Sequence, residues 1–140
     1  MLRAVLDTNV VVAGLRSPNG ASHELLEQVR IGAWLLVLSN TLVGEYHEIL
    51  HRDAELIGLT HREIDDYVDG LCVLAERFSP VTQWQPVAND PDDEAIIQLA
   101  REAQVLYLVT HNVRDVSRVA QFGVRVVRPS EFLDILRQTK

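Results

Sequence analysis

The run Leu2-Arg3-Ala4-Val5-Leu6-Asp7-Thr8-Asn9 passes from an apolar stretch straight into an acid. A short strand that stops on an aspartate sets its carboxylate at the strand's carboxyl end, where α/β folds build their sites. Three more acidic segments fall at expected junctions: Glu45, the run Asp90-Pro91-Asp92-Asp93-Glu94, and Asp115 behind Thr110-His111-Asn112. Carboxylates that converge repel one another unless a cation holds them. The pattern therefore points to a divalent-metal site. Each acid also has a plainer role. Asp7 can close a turn, Glu45 can sit on a solvated helix face, and acids favour the first turn of a helix. Asn112 and Asp115 can cap a loop or a short helix. Four acid-bearing segments, all at edge-facing junctions, are harder to assign to capping alone.

The residue types select the ion. Mg²⁺ and Mn²⁺ take hard oxygen ligands and retain several waters, whereas a carboxylate cluster without cysteine disfavours zinc. Such an ion lowers the pKa of a bound water and stabilises negative charge on an oxygen it contacts. Other conspicuous residues carry two readings each. His47 and His51 stand i, i+4 on one expected helix, a spacing that can bind a metal, yet the sequence offers no third ligand beside them. His111 could meet a substrate phosphate or simply face solvent. Arg114, Arg118, Arg125 and Arg128 form either a basic patch for a nucleic acid or a solvated surface. Trp34 and Trp84 read as packing residues, and Cys72 as a core thiol.

Positioning these groups requires alternating elements. Strands are expected at Leu2–Leu6, Ala33–Leu38, Val105–Val109 and Val124–Val127. Helices are expected from about Ser22 to Gly32, Thr41 to His51, Thr60 to Arg77, Asp93 to Ala103 and Pro129 to Arg137. Ser39 or Asn40 supplies an N-cap, Thr60 with Glu63 forms a capping box, and Pro129 sits at a first helical position. Asp53–Gly58 reads as irregular, and Phe78–Ala88 as a loop with a short strand. Apolar strands separated by helices mean a parallel sheet covered on both faces. The expected fold is an α/β three-layer α/β/α sandwich around a central, mostly parallel sheet of four to five strands. The carboxyl ends of its strands then share one edge, which brings Asp7 and Thr110-His111-Asn112 together.

The chain has 140 residues, 47% of them hydrophobic, which suits one domain (1–140) with a real core. Its net charge of −7 argues against nucleic-acid binding by bulk charge, so a nucleic-acid substrate would have to be held by metal, a local basic patch or a partner. One cysteine excludes an intrachain disulfide and fits a reducing compartment. Met1 leads directly into a strand, no signal-peptide pattern is seen, and no apolar run nears the roughly 20 residues that span a membrane. A cytoplasmic protein is expected.

The motifs, taken in order, resemble those of PIN domains. Asp7-Thr8-Asn9-Val10 is similar to the family's opening signature. Ser39-Asn40-Thr41-Leu42-Val43-Gly44-Glu45-Tyr46 resembles its second motif, Asp93 with Ile97 and Ala100 its third, and Val109-Thr110-His111-Asn112-Val113-Arg114-Asp115 its fourth. Phe122 to Leu133 looks like its closing strand and helix. The nearest group is that of prokaryotic toxin ribonucleases of toxin–antitoxin pairs (VapC-like).

The resemblance implies an Mg²⁺- or Mn²⁺-dependent endoribonuclease. By position, Asp7, Glu45 and Asp93 match the three central metal-site acids. Many relatives carry an aspartate where this chain has Asn112, and Asp115, three residues on, would supply the charge. Thr8, Thr110 and Asn112 match positions that orient ligands or water. Implied partners are an RNA substrate, a cognate antitoxin and a second copy of the chain. The apolar helices around Leu42–Leu50 and Ile64–Leu74 would bury a dimer face or, equally, the protein's own core. Two alternatives stand beside this: a catalytically silent PIN fold that binds RNA or protein, kept open by Asn112, and a receiver-like Mg²⁺-binding signalling domain. The latter needs a lysine near its last strand, and the chain has only Lys140.

Overall fold

The computed structural model describes residues 1–80 and 91–139, without the side chains of Pro91 and Asp92. Trp84, Asp90 and most of the expected Phe78–Ala88 loop lie outside the described residues. Five strands form one sheet: β1 (Arg3–Leu6), β2 (Leu35–Leu38), β3 (Glu76–Arg77), β4 (Tyr107–Val109) and β5 (Arg125–Val127). Their order is β3-β2-β1-β4-β5 and every pairing is parallel. The helices are α1 (Thr8–Arg16), α2 (Ala21–Arg30), α3 (Asn40–Arg52), α4 (Ala54–Ile57), α5 (His61–Leu74), α6 (Pro91–Glu102) and α7 (Pro129–Gln138), with a 3₁₀ segment at Val113–Phe122. This is the expected three-layer α/β/α sandwich, built on five strands.

The central strands β2, β1 and β4 are buried on both faces, which is why, apart from Arg3, they read as apolar runs. Ala4, Val5, Leu6, Leu36, Val37, Leu38, Leu108 and Val109 are all buried, and the buried apolar residues form one continuous cluster. Trp34 packs edge-on against Phe132 at 5.1 Å between ring centroids, and its indole N–H donates to the Leu25 carbonyl. Cys72 is partly buried against the same cluster.

The chain runs outward from β1 through β2 to β3, then returns to add β4 and β5 on the other side of β1. Such a reversal leaves a crevice at the carboxyl ends of the two strands that flank it, the usual ligand position in open α/β sheets. Here those strands are β1 and β4, in register at Leu6 and Val109. The Asp7 N–H continues the ladder onto the Val109 carbonyl at 2.9 Å, and Thr110 N–H does the same onto Val127.

Two expectations are corrected and one element is added. The helix begun at Thr60 stops at Leu74, and Glu76–Arg77 pairs instead with Val37 and Leu38 of β2. Part of the reason is Arg3 of β1, whose guanidinium binds both Glu76 carboxylate oxygens at 3.0 and 2.6 Å. Asp53–Gly58 is not irregular: Ala54–Ile57 makes one helical turn that buries Ala54 and Ile57 and ends on Gly58 at φ 82°. Thr8–Arg16, left without an element by the sequence, is a helix that starts directly on Asp7.

Candidate active site

Asp7 leaves β1 in an extended conformation (φ −65°, ψ 150°) and caps α1. One of its carboxylate oxygens accepts from the Thr8 N–H at 2.8 Å. The other accepts from the Thr110 hydroxyl at 2.8 Å and from the Asn9 amide at 3.3 Å. Thr110 is fully buried, and its hydroxyl oxygen accepts in turn from the Asn9 amide and the Asn112 N–H. Asn9 closes the ring by accepting from the His111 N–H at 3.2 Å. The first and fourth motifs are thus one hydrogen-bonded unit across the β1/β4 crevice.

Glu45 reaches this unit from α3. That helix starts on Ser39, whose hydroxyl accepts from Leu42 N–H. Leu42, Tyr46 and Leu50 bury one face of it. Residues 45, 49 and 52 follow one another at helical spacing, and Glu45, Ile49 and Arg52 all line the crevice. The buried Tyr46 hydroxyl donates to the Leu6 carbonyl at 2.5 Å and so pins α3 to the residue before Asp7. The Thr8 hydroxyl donates to the Glu45 carboxylate.

The crevice is a cleft of about 780 Å³ that Asp7, Thr8, Glu45, Asp93, Asn112 and Asp115 line together. Asp93 comes from the first turn of α6 and Asp115 from the 3₁₀ segment, where its N–H donates to the Asn112 carbonyl. Asn112 precedes that segment without capping it through its side chain. The structure therefore gathers the four predicted acids, Thr8 and Asn112 along one cleft, with Thr110 behind Asp7.

The electrostatics of the cleft centre on Asp7. Burial lifts the Asp7 carboxyl above its ordinary range, and hydrogen bonds from Thr110 and Thr8 oppose the lift. The charge of Asp115 adds to the lift, while His111 opposes it. Every ligand offered is a hard oxygen, which fits Mg²⁺ or Mn²⁺. Among the described residues, the three metal-ligating side chains that lie within 4.8 Å of one another are elsewhere, at His47, His51 and Asp65.

A family model for the PIN domain matches residues 3–114. The chain belongs to the PIN-domain family. The PIN chain resembles two solved structures in fold. One is VapBC2 from Rickettsia felis bound to a DNA fragment from their promoter: 13% identity, TM-score 0.62, 91% of this chain and 98% of that chain covered. The other is DNA-bound VapBC from Salmonella typhimurium: 19% identity, TM-score 0.64, with 92% and 99% covered. No curated protein sequence matches the chain. The receiver-like alternative falls with the family match and with the strand order, which differs from that of receiver-type sheets.

Several PIN-site features were not legible in the sequence. Arg16 and Arg52 line the cleft, although neither belongs to a motif. The arginines the sequence did single out lie elsewhere. Arg128 donates to the His111 carbonyl at 2.8 Å, and Arg125 lies over the Tyr107 ring. His111 hydrogen-bonds to the Ser22 hydroxyl through Nε2 at 3.1 Å. Burial, and then Arg128, hold its imidazole below the ordinary histidine range, against the pull of Asp7. Its neutral ring fastens the fourth motif to α2.

Proposed function

We propose that this PIN domain is a divalent-metal-dependent endoribonuclease and the toxin of a toxin–antitoxin pair. The observation that carries the proposal is Asp7, a partly buried carboxylate at the sheet's reversal point. It shares one cleft with Glu45, Asp93 and Asp115. Those four acids would hold Mg²⁺ or Mn²⁺, and a bound ion would supply an activated water and charge neutralisation at phosphorus. Thr110 and Thr8 hold the Asp7 and Glu45 carboxylates in place. Arg16 offers positive charge to the RNA backbone in a chain that is acidic overall, whereas Arg52 is paired with Asp53, which also lines the cleft.

The toxin half of the proposal rests on the fold neighbours, both of which are VapBC complexes. An antitoxin segment that covers the acidic cleft would silence the enzyme. The protein would work as a cytoplasmic homodimer. Supporting this, no described helix is long and apolar enough to cross a membrane, and Val73 and Leu74 are exposed at the end of α5. The apolar faces of α3 and α5 are otherwise consumed by the protein's own core.

Asn112 favours a second reading, a silent PIN fold, because it withdraws one negative charge from the cleft. Incubating the pure protein with single-stranded and structured RNA, in Mn²⁺, in Mg²⁺ and in EDTA, separates the two. The nuclease cleaves in metal and stops in EDTA. A silent fold binds metal without cleaving, and Asn112→Asp would then switch cleavage on.

A further inference from the structure

The histidine pair on α3 has the third ligand that the sequence did not place beside it. At 100° per residue, His47 and His51 lie 200° and 240° around the helix from Glu45, away from the cleft. They face α5, which carries its own i, i+4 pair, His61 and Asp65. His47 Nε2 and His51 Nε2 both approach the same Asp65 Oδ1, at 2.9 and 2.7 Å. His51 Nδ1 lies 2.6 Å from His61 Nδ1, and the two rings meet edge to edge, 14° from parallel with centroids 4.8 Å apart. Two nitrogens and one carboxylate oxygen therefore converge from two helices at 4.8 Å or less from one another.

We propose that His47, His51 and Asp65 form a second metal site, chemically distinct from the acidic cleft, that takes a borderline transition-metal dication such as Zn²⁺. Tetrahedral zinc with bonds of about 2.0–2.1 Å spaces its ligand atoms about 3.4 Å apart. The two nitrogens stand 2.9 and 2.7 Å from the shared oxygen, so each separation needs to open only slightly. Imidazole nitrogens select such an ion over Mg²⁺. His61 is a positioning residue. When His51 ligates through Nε2, its proton sits on Nδ1 and is donated to His61 Nδ1, which fixes the tautomer that the metal requires. His47 and Asp65 are more than half exposed at their side chains, which leaves the remaining coordination positions to water or to a ligand from outside. The ion would clasp α3 to α5 and stiffen the helix that presents Glu45.

The test uses tag-free full-length protein stripped by chelator, in an Asp7→Asn/Asp93→Asn background that disables the cleft. Zn²⁺ is titrated calorimetrically, and Co²⁺ is followed by its d–d absorption. The site predicts one Zn²⁺ per chain, not displaced by millimolar Mg²⁺, with a visible Co²⁺ band and a raised thermal midpoint. Asp65→Asn and His51→Ala should each weaken binding at least tenfold, and His61→Ala by roughly 10-fold or more with altered Co²⁺ absorption. Circular dichroism checks folding, and the exposed Asp65→Asn keeps the test decisive if His51→Ala does not fold. Absence of stoichiometric Zn²⁺ binding, or affinity unchanged in both Asp65→Asn and His51→Ala, overturns the proposal. Neither result bears on nuclease activity in the cleft.

Discussion

At the scale of single residues, the site is held by hydrogen bonds that end on Asp7 and by one that ends beside it. Tyr46 spends its only donor on the Leu6 carbonyl inside the core, one residue from Asp7 and one from Glu45. Tyr46→Phe removes the donor and keeps the ring. The expected loss is about 1 kcal/mol, the usual net value of such a bond, read from urea denaturation midpoints at unchanged slope. The variant should also bind Mn²⁺ more weakly, because the segments proposed to hold the metal then lose one of their ties and keep the Thr8–Glu45 hydrogen bond. Stability and metal affinity both equal to those of the native protein would show that the bond has no positioning role.

At the scale of elements, close approach and capping set the frame. Gly14 lies where α1 meets α2, and a Cβ there would stand 2.5 Å from Leu26 Cδ1 and 3.0 Å from the Ser22 carbonyl oxygen. The leucine tip can swing aside, whereas the backbone carbonyl cannot. Gly14→Ala should lower stability by about 1–2 kcal/mol, even after the roughly 1 kcal/mol gain in helix propensity. A more stable variant would mean that the two helices separate freely. The Thr60–Glu63 capping box gives a pH prediction. Hydrogen bonds from Thr60 hold the Glu63 carboxyl below its ordinary range. Because the folded value lies below the unfolded one, this stabilisation is present above the unfolded pKa and lost as pH falls through the folded one. Glu63→Gln should therefore lie below the native protein in thermal midpoint at neutral pH and converge with it in acid. A gap that stays constant with pH would contradict the assignment.

Much of this frame was legible in the sequence, and the failures share a physical cause. Buried parallel strands advertise themselves, so β1, β2, β4 and β5 were found to within two residues or so. Ser39, Thr60 and Pro129 announce helix starts through local chemistry. By contrast, the two residues of β3 are charged, and they become a strand only through pairing with β2 and the ion pair to Arg3. Helix α1 was hidden because Val10-Val11-Val12 are β-branched, a composition that reads as strand until tertiary packing overrides it. The acids of the cleft were each visible as types at junctions, and family motifs ordered them. Arg16, Arg52 and the approach of Asp65 to His47 and His51 were not, because no local pattern encodes which helix faces will meet.

At the scale of the whole molecule, one reversal of chain direction about β1 accounts for the site. It places the β1 and β4 ends side by side, aims the start of α1 at the crevice and lets α3 and α6 deliver Glu45 and Asp93 to it. The chain is acidic overall and the cleft is lined with acids, so an RNA held there would need a bound cation beside it. The decisive measurement is the single-turnover rate of RNA cleavage in Mn²⁺ by the native protein and by Asp7→Asn, at matched folded content. A metal-dependent nuclease centred on Asp7 predicts cleavage by the former and a loss of at least about 100-fold in the latter, the scale expected when a metal-holding group is removed from a site that works through charge. Equal rates in the two proteins would contradict the account.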